Sequence, residues 1–257
     1  MRRAVPHDLL LLLAHPDDES FLAGGTVACL AAEGRPAGLV CATRGQAGSL
    51  GDPPLATRNT IAQVREGELR DACAVLGLDL VALLDYDDRR LGEADPEAIR
   101  RTLVGHLRRE QPRVVVTFDP NGVTRHPDHI AISRFALDAV TAAADPRWAP
   151  ELGAAHRVRR VVWSPPVNPW EEWRPERLAA LGGVDYVIDT RAQAARKEAA
   201  LAAHRTQQGS SVRPVWYDAA ARTGAGARVF DHECFRHAWG EPPPRVPAAD
   251  LFEGLGA

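Results

Sequence analysis

Two short segments of this sequence carry histidine and aspartate at spacings suited to holding a metal ion: His15-Pro16-Asp17-Asp18 and His126-Pro127-Asp128-His129. Neutral imidazole and carboxylate suit Zn2+, and a catalytic zinc takes three protein ligands and leaves a fourth position open. His15, Asp18 and His129 would supply that set. Asp17 cannot easily point at the same ion as its neighbour Asp18, and is placed instead to act as general base on a water. His126 lies one helical turn before His129, near the ion without being forced to bind it. From there it could donate to a developing oxyanion. Asp128, between the two histidines, is placed to orient an imidazole. Taken singly, either segment also reads as a plain helix start, with aspartate caps and first-turn prolines. The metal reading gains if the fold brings both segments to one place.

The surrounding pattern predicts that it does. Residues 8–14 form a continuous apolar run, expected as a buried strand. A small-residue helix is expected over 20–33, ended by Gly34, then a strand over 37–43. Ile61, Val64, Leu69, Ala72 and Leu76 fall at helical spacing within 57–76. A third strand is expected over 78–84, a helix over 96–110 capped by Asp95, a fourth strand over 113–118 and a helix over 127–142. This alternation predicts an α/β fold with a Rossmann-like doubly wound, mostly parallel sheet and helices on both faces. In the common strand order, strands 1 and 4 are neighbours at the switch point, and ligands bind outside their carboxyl ends. Both His-Pro-Asp segments follow those ends.

The second half is less regular. Strands are expected over 159–163 and 186–189, an ordered loop over 164–175, a helix over 191–206 and a loop over 209–227. The proline-rich end from Pro242 reads as peripheral. With no repeat or linker, the expectation is one domain over 1–257, in which 1–145 is the metal-binding core and 146–257 a C-terminal elaboration.

A net charge of -3, with no clustered basic run, argues against a nucleic-acid footprint. The apolar run before His15 is too short to span a membrane or to serve as a signal sequence, so a cytoplasmic protein without a transmembrane segment is expected. The four cysteines show no CxxC spacing. They read as small core residues in a reducing compartment rather than as zinc ligands. The first strand leads into a His-Pro-Asp turn and not a G-x-G-x-x-G turn, which sets aside a dinucleotide-binding domain. Two other readings stand beside a metal-dependent amide hydrolase. A phosphoesterase would more often hold two metals, and a non-catalytic carbohydrate- or metal-binding protein would not need Asp17 and His126.

The sequence resembles the zinc-dependent N-acetylglucosaminyl de-N-acetylases, the LmbE-like or PIG-L-like deacetylases. The resemblance rests on AHPDDES at 14–20, TRGQAGS at 43–49, VREGELRDACAVLG at 64–77, TFDPNGVTRHPDH at 117–129 and, more weakly, KEAALAAHRTQ at 197–207. It implies a hydrolase that removes an acetyl group from an N-acylated amino sugar, glycoside or related small amide. Acetate and a free amine would be the products. It implies one zinc per chain on His15, Asp18 and His129, although such ligands also accept Fe2+, Co2+ or Mn2+. Asp17 then matches the general base and His126 the transition-state stabiliser. Arg65 matches a sugar-binding arginine, and Asp88, Arg44 and His204 are further expected substrate contacts. A homo-oligomer is compatible with the sequence. The chain departs from the family pattern at Gln46, where a glutamate is usual, at Arg125, where glycine is common, and at Thr124. Members that process the mycothiol precursor often have tyrosine in the loop that holds Thr124.

Overall fold

The computed structural model describes residues 7–164, 183–208 and 231–256. The loop expected over 209–227 and nearly all of that expected over 164–175 lie outside them. Strand β1 (Leu9–Leu13) is five consecutive leucines, each wholly buried. A run apolar on both faces suits only a central parallel strand covered by helices on both sides. It pairs in parallel with β2 (Ala37–Thr43) on one edge and β4 (Val114–Phe118) on the other. Strand β3 (Asp79–Tyr86) joins β2, and β5 (Arg160–Ser164) joins β4, again in parallel. The seven-stranded order is β3-β2-β1-β4-β5-β7-β6, with β6 at Tyr186–Asp189 and β7 at His232–Gly240. The order reverses between β1 and β4, as the alternation predicted.

Helices α1 (Asp18–Ala32), α2 (Ile61–Leu76), α3 (Pro96–Glu110) and α5 (Pro127–Ala143) connect the parallel strands, with one distorted turn, α4 (Gly122–Arg125), before α5. Asp95 caps α3 as expected, its side chain accepting the Ala98 N–H. The helix expected over 191–206 is α6 (Ala194–Ala203), flanked by 3-10 turns at Arg191–Gln193 and Arg205–Gln207. No helix among the described residues is long and apolar enough to cross a membrane.

Strand β7 escaped the sequence reading. It runs antiparallel to both β5 and β6, and its two histidines, glutamate and arginine hide the alternation of a buried strand. Glu233 explains the disguise. It is buried, it accepts the backbone N–H groups of Gly25 and Thr26, and Lys197 neutralises it at 2.7 Å. Gly25 also lets Thr190 pack close against α1: a Cβ there would sit 2.6 Å from Thr190 Cβ.

The end of the chain is not peripheral. Leu251, Phe252 and Leu255 are buried, and wholly buried Arg160 donates to the carbonyls of Glu241, Pro242, Leu251 and Glu253. Five guanidinium N–H groups let one side chain tie a segment with no regular structure to the sheet. Arg160→Ala would leave those acceptors without a donor, and it is expected to lower the unfolding free energy by about 3–5 kcal/mol. Urea denaturation measures this; an unchanged midpoint would contradict the clamp.

Candidate metal centre

The loops after β1 and β4 lie side by side because their strands do, and they bring His15 and His129 together. His15 Nδ1 is 3.2 Å from His129 Nε2. Asp18 completes a triangle, one carboxylate oxygen 3.4 Å from His129 Nε2 and the other 3.5 Å from His15 Nδ1. Tetrahedral coordination at bond lengths of roughly 2.0–2.1 Å separates ligand atoms by about 3.3–3.4 Å, so the spacing fits a small ion.

The hydrogen bonds on the far sides of the rings decide which nitrogens are free. His129 Nδ1 faces the Gly122 carbonyl at 3.0 Å, which can only accept, so Nδ1 carries the proton. His15 Nε2 faces Asp128 at 3.1 Å and Asp88 at 3.2 Å, both carboxylates. With both rings neutral, two lone pairs and the Asp18 carboxylate converge on one point. They repel one another unless a cation or proton lies between them. Burial opposes charge on His15, but Asp128, Asp18 and Asp88 together raise it well above the usual imidazole value. Burial likewise pushes Asp18 up, and its charge interactions and hydrogen bonds with His129 and His15 more than reverse this, holding it as a carboxylate.

Other donor groupings exist: His15, His126 and His129, or His15, Asp88, His126 and Asp128, lie close enough to hold an ion. Their hydrogen bonds disfavour them. His126 Nδ1 accepts the Asp128 N–H at 3.3 Å, which leaves the proton of the neutral ring on Nε2 as a donor. Burial, with the nearby His15 and His129 rings, lowers His126 below the usual value and favours that neutral form. Asp128 accepts N–H groups from Arg89 and Leu91, and Asp88 accepts that of Ala47. Both carboxylates address the ring edge of His15 that the ion would not use.

Asp128 thus reaches His15 from the first turn of α5. Asp128→Asn would remove one of the two carboxylates that accept at His15 Nε2, weakening the hold that keeps the ring proton off Nδ1, the atom that faces Asp18 and His129. Metal affinity is expected to fall by about 10–100-fold, measurable by competition with a chromogenic chelator. Unchanged affinity would contradict this role.

Asp17 is buried beside the triangle at the start of α1, with its backbone in a left-handed conformation at φ 113°. Arg65 Nη2 donates to its carboxylate at 2.9 Å, and the same guanidinium reaches the Gly45 and Pro16 carbonyls. Gly45 is required at that contact, since a Cβ would fall 2.0 Å from Arg65 Nη1. The contacts of Arg65, itself 3% exposed, are those of a residue that fixes Asp17.

One expected substrate contact is corrected. His204 is wholly buried and bonded to Glu19 at 2.8 Å, so it does not line a pocket. Arg44, partly exposed, pairs with Asp85 and Glu66. Asp88 stands beside His15, within reach of the cluster. Three participants escaped the sequence reading: Glu19, Phe118, which stacks on His129 with centroids 3.9 Å apart, and Asp119, which holds the turn that offers the Gly122 carbonyl. Their roles depend on partners brought by the fold, and no spacing announces them.

Comparison with known proteins bears on this geometry. The GlcNAc-PI de-N-acetylase (PIG-L) family matches residues 10–140. The chain is 33% identical to a Streptomyces avermitilis protein named 1D-myo-inositol 2-acetamido-2-deoxy-alpha-D-glucopyranoside deacetylase, over 96% of this chain and 97% of that one. Among solved structures, a conserved protein from Thermus thermophilus superposes with a TM-score of 0.70 at 31% identity, covering 95% of this chain and 100% of its own. The N,N'-diacetylchitobiose deacetylase of Pyrococcus horikoshii superposes with a TM-score of 0.69 at 23% identity, over 90% and 83% of the two chains, and shares the fold.

Proposed function

We propose that this chain, which belongs to the GlcNAc-PI de-N-acetylase (PIG-L) family, hydrolyses the acetamide of a 2-acetamido-2-deoxy sugar, releasing acetate and a free amine. The observation that carries this reading is the convergence of His15 Nδ1, His129 Nε2 and the Asp18 carboxylate at 3.2–3.5 Å, with Asp17 buried alongside. Zinc is the ion we assign to them; Fe2+, Co2+ and Mn2+ compete for such donors. When bound, zinc supplies Lewis acidity toward the amide carbonyl and lowers the pKa of a coordinated water toward ~7.

The protein's own groups divide the remaining work. Asp17 takes the proton of the attacking water and then holds it for the leaving nitrogen. Arg65 keeps the Asp17 carboxylate in one place. His126, neutral and protonated at Nε2, donates to the oxyanion of the tetrahedral intermediate. Asp128 and Asp88 hold the His15 ring with its lone pair toward the ion. In this scheme residues 1–145 form the metal-binding core of a single domain over 1–257, and we place the protein in the cytoplasm, where its four free cysteines stay reduced.

The relative from Streptomyces avermitilis suggests the substrate class, an N-acetylglucosaminide of a cyclitol. The experiment is acetate release from zinc-loaded protein offered N-acetylglucosamine, N,N'-diacetylchitobiose and N-acetylglucosaminyl-inositol. Release is expected to be fastest from the inositol glycoside. No release from any 2-acetamido sugar, with the metal bound, would overturn the reading.

A further inference from the structure

Behind Asp17 lies a buried polar chain that metal binding does not use. Glu19 and His204 are both wholly buried, and they meet across 185 residues of sequence at 2.8 Å, His204 Nε2 to Glu19 Oε1. Ser20 Oγ donates to the same oxygen at 2.5 Å. The other oxygen, Oε2, accepts the backbone N–H of Asp17 at 2.9 Å. That N–H belongs to the residue with φ 113°, a conformation that a side chain other than glycine adopts only when its surroundings impose it.

A glutamate in the first turn of a helix that reaches back to the N-cap N–H is also an ordinary capping device. His204 separates the two cases. A helix cap is normally exposed and needs no partner from another element, whereas Glu19 is sealed from water and its charge is matched by a histidine at the end of α6. Enclosing a carboxylate is unfavourable unless it is paired and hydrogen-bonded. The arrangement gives Asp17 two independent holds: Arg65 grips its carboxylate and Glu19 its backbone.

We infer that Glu19 and His204 are positioning residues for the general base, locking the left-handed backbone of Asp17 so that its carboxylate stays aligned for proton transfer. This rests on the reading of Asp17 as general base. His204 orients Glu19, and Glu19 orients Asp17; neither touches substrate.

Steady-state deacetylation by metal-loaded wild type, Glu19→Ala, Glu19→Gln, Asp17→Asn and the Asp17→Asn/Glu19→Ala double variant tests it, with metal content and thermal melting measured on each. Glu19→Ala is expected to lower kcat by about a hundredfold, with KM within about threefold and one metal per chain retained. Glu19→Gln keeps an acceptor for the Asp17 N–H and is expected to stay within about tenfold of wild type. In the Asp17→Asn background, Glu19→Ala is expected to cost less than about twofold more, because residues that act as one unit are not additive. If Glu19→Ala does not fold, Glu19→Asp and His204→Asn carry the same comparison. Near-wild-type kcat in the Glu19 and His204 variants, or an equal loss in both backgrounds, would overturn the inference while leaving Asp17 as base. Wild-type turnover by Asp17→Asn would instead overturn the base assignment.

Discussion

The Asp17→Asn variant is expected to bind its metal normally and to lose about 10²–10⁴-fold in kcat, the usual worth of a positioned general base. Asparagine keeps the shape of the side chain and an oxygen for the Arg65 N–H at 2.9 Å, so the buried contact survives. It has no basic oxygen to take a proton from water. KM should change little, since the substitution removes a group needed in the transition state rather than one that binds the sugar. Metal analysis beside the kinetics separates the two roles proposed for the neighbouring aspartates, Asp18 as a ligand of the ion and Asp17 as the base that moves the proton. A variant that turned over at wild-type rate with the metal in place would show that another group is the base.

His129→Ala should act by a different route and have the larger effect. It removes one of the three donors that meet at 3.2–3.5 Å and leaves His15 and Asp18 as a two-ligand site. Loss of stoichiometric metal and at least about a thousandfold loss of activity are expected. The fold should persist, because His129 is only partly buried and its contacts are a ring stacked on Phe118, a bond to the Gly122 carbonyl and those with the cluster itself. Equilibrium dialysis with metal analysis checks the first part and acetate release the second. A variant that kept one metal per chain and near-normal turnover would shift the site to the grouping of His15, Asp88, His126 and Asp128.

Much of this centre is legible in the amino-acid sequence. The alternation of apolar runs with helical spacing predicts a parallel sheet, and its switch point brings His15 next to His129. Boundaries shift by a few residues, as at β3 and α1, without moving a ligand. The unread parts share one physical cause. Glu19, His204, Glu233, Lys197 and Arg160 are polar side chains that are buried because a distant residue satisfies them. In sequence each looks like a solvated charge or, for His204, a pocket residue. Strand β7 was hidden for the same reason, since Glu233 interrupts what would otherwise read as a buried strand. At Arg65 the motif marks the position, and the fold supplies the partners, Asp17, Gly45 and Pro16, which no spacing announces. The clamp by Arg160 on the end of the chain depends on four carbonyls, which no side-chain pattern encodes.

A metal titration of chelator-stripped protein, followed by the appearance of free amine from N-acetylglucosaminyl-inositol, bears on the metal centre and the reaction at once. A single-ion hydrolase should show no turnover without metal and a linear rise that stops at one equivalent of zinc per chain. Turnover that survives stripping, or that rises to two equivalents before levelling, would contradict a single ion held by His15, Asp18 and His129.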